Sequence, residues 1–209
     1  MQIVWDWNGT LLDDVEMAVR VTGEVFTRYG YPAITLERYR DIFRFPVRDY
    51  YRLCGVSDEA FPEVGRAWSD AYVAAYPSAP LRRDAVETVQ RLRDAGMAQL
   101  ILSATKQELL REQVAAHPAL DGMFEQLLGI GDIYATSKTH LAVAMMAQTG
   151  LSPDEVVFIG DSCHDAEVAS AVGCRCLLVS GGHQNDRQLQ RSGAPVLPSL
   201  RAAADWILA

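Results

Sequence analysis

The chain has 209 residues, of which 49% are hydrophobic and 22% charged, a composition typical of a globular protein that can bury a substantial core. Its formal net charge is −8 and it contains no run of lysine or arginine, so neither nucleic acid nor an anionic membrane is an expected partner. Because it shows neither an apolar stretch of membrane-spanning length nor a leader segment, we expect a cytoplasmic protein. We expect it to be a monomer or a homodimer.

The first predicted element is a buried strand, from the apolar run at residues 3–5. Asp6 stands where this strand would end, and Gly9 permits a tight turn with close approach to a ligand. Thr10 adds a hydroxyl group. Open α/β sheets bind ligands at the carboxyl ends of their strands, so this turn is a candidate site, although such a sequence can also form a plain turn.

Residues 15–77 carry a helical pattern throughout. Apolar residues recur at helical spacing from 15 to 29, and further helical segments are predicted near 32–43, 46–55 and 57–76. The sequence Pro-Ser-Ala-Pro at 77–80 is a candidate hinge. We therefore expect residues 15–77 to form an inserted helical cap domain, and residues 1–14 and 78–209 to form the catalytic core.

Beyond the hinge, predicted strands and helices alternate. Strands are expected at 100–104, 126–130, 156–159 and 175–179, with helices between them, and two helices at about 184–192 and 199–208 close the chain. Strands separated by helices imply parallel pairing with right-handed crossovers. The predicted fold is α/β, a doubly wound five-stranded parallel sheet (a Rossmann-like core) with an inserted helical cap.

A second acidic loop follows the predicted strand at 156–159. Its sequence at 160–165 is Gly-Asp-Ser-Cys-His-Asp, which supplies Asp161 and Asp165. Carboxylates delivered to one sheet edge by Asp6 and by this loop can build a Mg²⁺ site from hard oxygen ligands. For Asp165, capping of the following helix is a competing role, and both roles can coexist.

Together these motifs resemble those of the haloacid dehalogenase superfamily of phosphohydrolases, in its phosphoglycolate-phosphatase branch. The resemblance implies that Asp6 is a nucleophile, that Lys138 holds it beside the phosphate, and that Ser103 binds the phosphoryl group. Lys106 also follows a predicted strand and is the alternative lysine. The implied Mg²⁺ ligands are Asp6, the backbone carbonyl of Asn8, Asp161 and Asp165. The expected substrate contacts are Thr10, Ser103 and Ala104. His183, just past the fifth predicted strand, is a further candidate from its place in the sequence. Arg44 and Arg48 flank Phe45-Pro46 in the predicted cap, and they are either contacts of a substrate carboxylate or second phosphate or solvated surface groups.

Asn8 departs from the family pattern. Most phosphatases of this family carry an Asp there as general acid and base, and an amide cannot donate a proton to a leaving alkoxide as a carboxylic acid can. General acid help is worth about 10²–10⁴-fold, so we expect phosphoanhydrides, acyl phosphates or aryl phosphates to be favoured. His164, His183 or water could take the place of the missing acid.

The function implied by the resemblance is Mg²⁺-dependent hydrolysis of a small phosphorylated metabolite through an aspartyl-phosphate. Two alternatives stay open. One is a protein of low turnover that binds a phosphorylated ligand or has a regulatory role, because Asn8 replaces the acid. The other is a dehalogenase, against which the two acids of the 160–165 loop argue, because they suit a metal.

Overall fold

The computed structural model describes residues 1–131 and 137–209. Within them, parallel strands form one sheet in the order β3-β2-β1-β4-β5-β6. Their bounds are β1 Gln2–Trp5, β2 Ala98–Lys106, β3 Gln126–Ile130, β4 Val156–Gly160, β5 Arg175–Val179 and β6 Val196–Leu197. Strand order runs in opposite directions on the two sides of β1, so the end of β1 lies at a topological switch point, where such sheets bind ligands.

The sheet has six strands, so the prediction of five is wrong. The missed strand, β6, is two residues long and pairs with the last two residues of β5. It lies between Pro195 and Pro198, which the sequence pattern marks as a break. A strand this short at a sheet edge carries no alternation from which it could be recognised.

Ten α-helices are found in the described residues. Four precede β2 on the helical segment of residues 15–77, and one, α5, leads into β2. The bounds are α1 Val15–Arg28, α2 Leu36–Ile42, α3 Val47–Leu53, α4 Phe61–Ala75, α5 Ala85–Asp94, α6 Gln107–Ala115, α7 Thr139–Thr149, α8 Cys163–Ala171, α9 Asp186–Leu189 and α10 Leu200–Leu208. None of them is both long and apolar enough to cross a membrane.

Helices cover both faces of the sheet. Val4 and its neighbours Leu100 and Phe158 pack on one face against α7 and α8. On the other face Ile3 and Trp5 belong to a larger apolar cluster. That cluster continues without a break into the helical segment of residues 15–77, so this segment shares its apolar core with the sheet.

The helical segment leaves and rejoins the sheet domain at one point. Leu12 and Leu81 form an antiparallel bridge. The Asp13 amide donates to the Pro80 carbonyl at 2.8 Å, and the Arg82 amide donates to the Leu11 carbonyl at 2.9 Å. The entry and exit of the segment are therefore tied together by backbone hydrogen bonds.

Trp5 joins three elements of the core. It is fully buried in β1, and its indole Nε1 donates to Gln99 Oε1 of β2 at 2.8 Å. The Gln99 amide nitrogen in turn donates to the Val89 carbonyl of α5 at 2.9 Å. The hydrogen bonds satisfy a buried amide that would otherwise be costly to bury.

Trp5→Phe is expected to lower the free energy of unfolding by about 2 kcal/mol or more, because it leaves Gln99 Oε1 buried without its donor and opens a cavity. Urea unfolding followed by circular dichroism measures this change. Trp206→Phe is the matched control, because Trp206 is 42% exposed. Equal losses in the two variants would contradict the assignment.

Candidate active site

Three carboxylates meet at the carboxyl edge of the sheet. Asp6 follows β1, Asp161 follows β4, and Asp165 lies in the first turn of α8. One oxygen from each lies within 4.8 Å of the others. Neighbouring parallel strands bring them together, since the last residue of β1, Trp5, pairs with Ile159 of β4.

Lys138 is the cation at the centre of this cluster. Its ammonium lies 2.5 Å from Asp6 Oδ1 and 2.6 Å from Asp165 Oδ1, and it donates to the Leu102 carbonyl at 2.9 Å. Its side chain is only 3% exposed. Lys106, the alternative lysine, instead pairs with Glu108 at 3.4 Å on a half-exposed surface.

The carboxyl pKa values show a site short of positive charge. Burial raises the pKa of Asp6 to about 8, against the attraction of Lys138 and with added repulsion from Asp165 and Asp161. Burial also raises the pKa of Asp161. The pKa of Asp165 is lowered, because Lys138 and the hydrogen bonds from Ser162 outweigh its burial. Burial by itself would lower the pKa of Lys138, but its two carboxylate partners raise it, so the lysine stays charged.

This donor set fits a divalent cation. Three carboxylates lie together, two of them paired with one lysine, and hard oxygen ligands are those that Mg²⁺ prefers. A bound cation would supply the missing positive charge. The fit rests on these described residues.

Each acid of the second loop is held by hydrogen bonds. Asp161 accepts from Thr10 Oγ1 at 2.8 Å and from the His183 amide at 2.6 Å. Asp165 Oδ2 accepts from the Ser162 amide at 3.0 Å and the Ser162 hydroxyl at 2.7 Å, closing a capping box at the start of α8. One oxygen of Asp165 thus caps the start of α8, and the other contacts Lys138.

Two glycines let these carboxylates pack directly on the backbone. A Cβ atom on Gly160 would lie 2.1 Å from Asp165 Cγ, and one on Gly182 would lie 2.1 Å from Asp161 Oδ2. Both distances are too short for atoms that are not bonded to each other. Gly182 was missed as a site residue, although the pair Gly181-Gly182 just beyond β5 was a signal.

Asn8 is fixed by a polar network that the sequence did not reveal. Its amide nitrogen donates to Asp14 Oδ2 at 3.0 Å and contacts the Tyr72 hydroxyl at 2.7 Å. Its oxygen accepts from Thr105 Oγ1 at 2.6 Å and lies 3.5 Å from the Ser103 hydroxyl. Asp14, the residue before α1, is therefore a buried part of this site.

Asp14 also binds His183. The His183 Nε2 atom lies 3.3 Å from Asp14 Oδ1, and its Nδ1 atom lies 2.7 Å from the Tyr39 hydroxyl of α2. Burial opposes the charge of His183, but the Asp14 carboxylate raises its pKa to about 9. The pKa of Asp14 is lowered, because His183 and the other hydrogen-bond donors outweigh burial. The two form a buried ion pair with both imidazole nitrogens engaged.

The second histidine lies against the helical segment. His164 stacks on Phe45 with ring centroids 4.5 Å apart, and its Nδ1 lies 3.3 Å from Glu167 Oε2. Its Nε2 atom is buried without a hydrogen-bond partner in the described part of the chain. Burial lowers the pKa of this imidazole, although Asp165 opposes that effect.

A cavity of about 160 Å³ joins these groups to the helical segment. Ser103 and Ala104 line it together with Lys138 and the carboxylates. Arg44 and Arg48 are not among its described lining residues. The Arg44 Nε atom donates to the Ile42 carbonyl at 3.1 Å, and the Arg48 guanidinium lies over the Phe61 ring at 4.9 Å.

Known proteins resemble this chain over nearly its whole length. The family model for haloacid dehalogenase-like hydrolase matches residues 3–179. Phosphoglycolate phosphatase 1 of Pseudomonas aeruginosa is 23% identical over 205 residues, covering 93% of this chain and 74% of its own. Phosphoglycolate phosphatase of Synechococcus elongatus is 25% identical over 210 residues, covering 99% and 91%. The structure of a haloacid dehalogenase-like hydrolase from Streptococcus pneumoniae superposes with a TM-score of 0.86 at 17% identity, over 99% of this chain and 97% of its own.

The His183–Asp14 pair predicts a pH-dependent stability. The pKa of His183 is raised in the folded state, so its contribution is complete below about pH 6.5 and is lost as pH rises through about 9. His183→Gln should remove up to about 3 kcal/mol at pH 6.5 and much less at pH 9.5. Urea unfolding across this range, with metal chelated, measures the difference. His140→Gln, at an exposed position, is the control, and a loss from His183→Gln that does not vary with pH would contradict the ion pair.

Proposed function

The chain belongs to the haloacid dehalogenase-like hydrolase family, and from this premise we propose that it is a Mg²⁺-dependent phosphatase acting on a small phosphorylated metabolite. The observation that carries the proposal is the buried cluster of Asp6, Asp161 and Asp165 around Lys138. Relatives named phosphoglycolate phosphatase, matched over most of their length, support a phosphatase.

Asp6 is the proposed nucleophile. Its carboxylate is held by Lys138 on one oxygen and by the Thr10 hydroxyl, at 3.3 Å, on the other. An Asp6 oxygen forms a bond to phosphorus while the bond from phosphorus to the leaving oxygen breaks with its electron pair. Water then attacks the phosphorus of the aspartyl-phosphate, which releases inorganic phosphate and restores the carboxylate. Lys138 favours the ionised form of Asp6 that this step requires.

We propose that Mg²⁺ is bound by Asp6, Asp161 and the backbone carbonyl of Asn8. Asp165 either binds the ion directly or contacts one of its ligands. When bound, the cation supplies positive charge that offsets the repulsion between the carboxylates and the phosphoryl oxygens. Ser103 is buried in β2 and lines the cavity. Its hydroxyl is the proposed hydrogen-bonding contact of the phosphoryl group.

The helical segment of residues 15–77 is the proposed cap over the site. Contacts between α2 and the loop after β5 support this role. Arg40 donates to the carbonyls of Gly182 at 2.9 Å and Gly181 at 2.7 Å, and Gln184 donates to the Phe43 carbonyl at 2.8 Å. A cap closed in this way excludes water from the reacting groups.

A low-turnover protein that binds a phosphorylated ligand is the second candidate. The observation in its favour is the fixed amide of Asn8, which is engaged by Asp14 and Thr105 and cannot act as an acid. Release of inorganic phosphate in the presence of Mg²⁺, compared with binding without release, separates the two functions.

Asp6→Asn is expected to lower Mg²⁺-dependent phosphate release by on the order of 10³-fold or more, because the nucleophile is lost. Beryllium fluoride, which mimics an acyl phosphate on a carboxylate, should also no longer be trapped. Asp13→Asn is the control, because Asp13 is an exposed neighbour of the same turn. Turnover near that of the unchanged protein in Asp6→Asn would refute the nucleophile.

Gly182→Ala is expected to raise the Mg²⁺ concentration for half-maximal activity about 10–100-fold, because the added methyl group displaces Asp161. Gly131→Ala is the matched control, since, apart from the glycine itself and its chain neighbours, no atom of residues 1–131 and 137–209 lies within 4 Å of a Cβ atom at that position. A Mg²⁺ titration of phosphate release compares the two. The same Mg²⁺ requirement in both variants would show that Asp161 does not bind the metal.

A further inference from the structure

We propose that the substrate is the phosphate monoester of a small phenol, whose ring binds against the aromatic residues of the helical segment. This proposal rests on the proposed phosphatase function and names its substrate class. A phenol phosphate of this kind differs from a small alkyl phosphate that carries a carboxylate. Three independent features support it: the lining of the cavity, the placement of the cationic side chains, and the lack of a proton donor at position 8.

The lining of the cavity is mainly aromatic on the side of the helical segment. We call these residues the aromatic wall: Tyr39, Phe43, Phe45, Tyr50, Tyr51, Phe61, Trp68 and Tyr72. Within it Trp68 stacks on Tyr72 at 5.0 Å, and Tyr39 meets Tyr50 edge-to-face at 5.5 Å. A further ring can join such an arrangement with favourable stacked or edge-to-face geometry.

The cavity has room for a single aromatic ring. Its volume is about 160 Å³. An engineered apolar cavity of about 150 Å³ is large enough to bind benzene. The part of the cavity beside the aromatic wall is therefore of a size to hold one aromatic ring.

The cationic side chains leave a substrate carboxylate without a suitable partner. Among the described residues that line the cavity, the non-histidine cations are Lys138, which holds Asp6 and Asp165, and Lys106, which pairs with Glu108. Nearby arginines bind backbone carbonyls instead. Arg40 holds the 181–182 loop, and Arg82 donates to the carbonyls of Gly9 at 3.1 Å and Ser180 at 2.8 Å. A carboxylate would lose its hydration without gaining a bidentate arginine.

The leaving group must depart without a proton from residue 8. Asn8 is held by Asp14 and Thr105, and both ring nitrogens of His183 are engaged. A phenol has a pKa of about 10, as in tyrosine, so a phenolate is a far better leaving group than an alkoxide. The bond from phosphorus to the aryl oxygen breaks as Asp6 bonds to phosphorus, and the released phenolate takes its proton from water.

The substrate test compares phenyl phosphate, cyclohexyl phosphate, phosphoglycolate and acetyl phosphate with Mg²⁺. Cyclohexyl phosphate has similar bulk to phenyl phosphate but a basic leaving group. We expect kcat/KM for phenyl phosphate to exceed that for phosphoglycolate, and its kcat to exceed that for cyclohexyl phosphate, each by about 100-fold. Equal or better use of phosphoglycolate would overturn the proposal while leaving the phosphatase intact. Equal kcat on the phenyl and cyclohexyl esters would overturn the leaving-group argument and point to His164 as an acid. No release from any of the four would overturn the phosphatase function itself.

A variant in the aromatic wall tests where the ring binds. Gly65 of α4 lines the cavity, and a Cβ atom there meets the Phe61 ring at an ordinary 3.7 Å, so Gly65→Leu fills space without a backbone clash. We expect the ratio of kcat/KM for phenyl phosphate to that for acetyl phosphate to fall about tenfold or more. Ala74→Leu, at an exposed position of the same helix, should leave the ratio unchanged.

Ser69→Leu, one turn after Gly65 and also lining the cavity, is the second variant if Gly65→Leu fails to fold by thermal melting. An unchanged ratio in a folded cavity variant would place the ring elsewhere and overturn the proposal.

Discussion

The ammonium of Lys138 is the charge that allows Asp6 and Asp165 to be buried side by side at one sheet edge. Asp6 and Asp165 lie within hydrogen-bond distance of it, and burial alone would favour their neutral forms. Burial nonetheless keeps the pKa of Asp6 raised, and repulsion from Asp165 and Asp161 adds to this effect. The three carboxylates together offer the hard oxygen ligands that a divalent cation prefers.

His183 connects the sheet edge to the helical segment. Its backbone amide fixes Asp161, while its imidazole ring binds Asp14 and the Tyr39 hydroxyl. The same residue thus contacts a candidate metal ligand, the network around Asn8, and α2 of the helical segment. Any displacement of α2 would alter the surroundings of the Asp14–His183 ion pair. The helical segment and the carboxylate cluster are therefore physically linked.

The strands and the clustering of Asp6, Asp161 and Asp165 could be predicted from two apolar runs. Asp6 directly follows the run at residues 3–5, and Asp161 and Asp165 lie in the loop that follows the run at 156–159. The carboxyl ends of adjacent parallel strands converge whatever the intervening sequence is. β6 could not be predicted, because it has two residues beside prolines. Asp14 was also missed, because its partners Tyr72 and His183 are brought to it only by packing of α4 and the loop after β5. Pairings of that kind leave no periodic trace in the sequence.

The bridge between Leu12 and Leu81 has a consequence for how the chain can vary in length. Polymer theory treats a segment whose ends are joined as a closed loop, and the entropy of closing such a loop grows only with the logarithm of its length. Residues at exposed positions between the two bridge residues could therefore be added or removed without displacing β1 or β2. The length of the helical segment can change while the register of the strands is preserved, provided that the contacts of Asp14, Tyr39 and Arg40 stay in place.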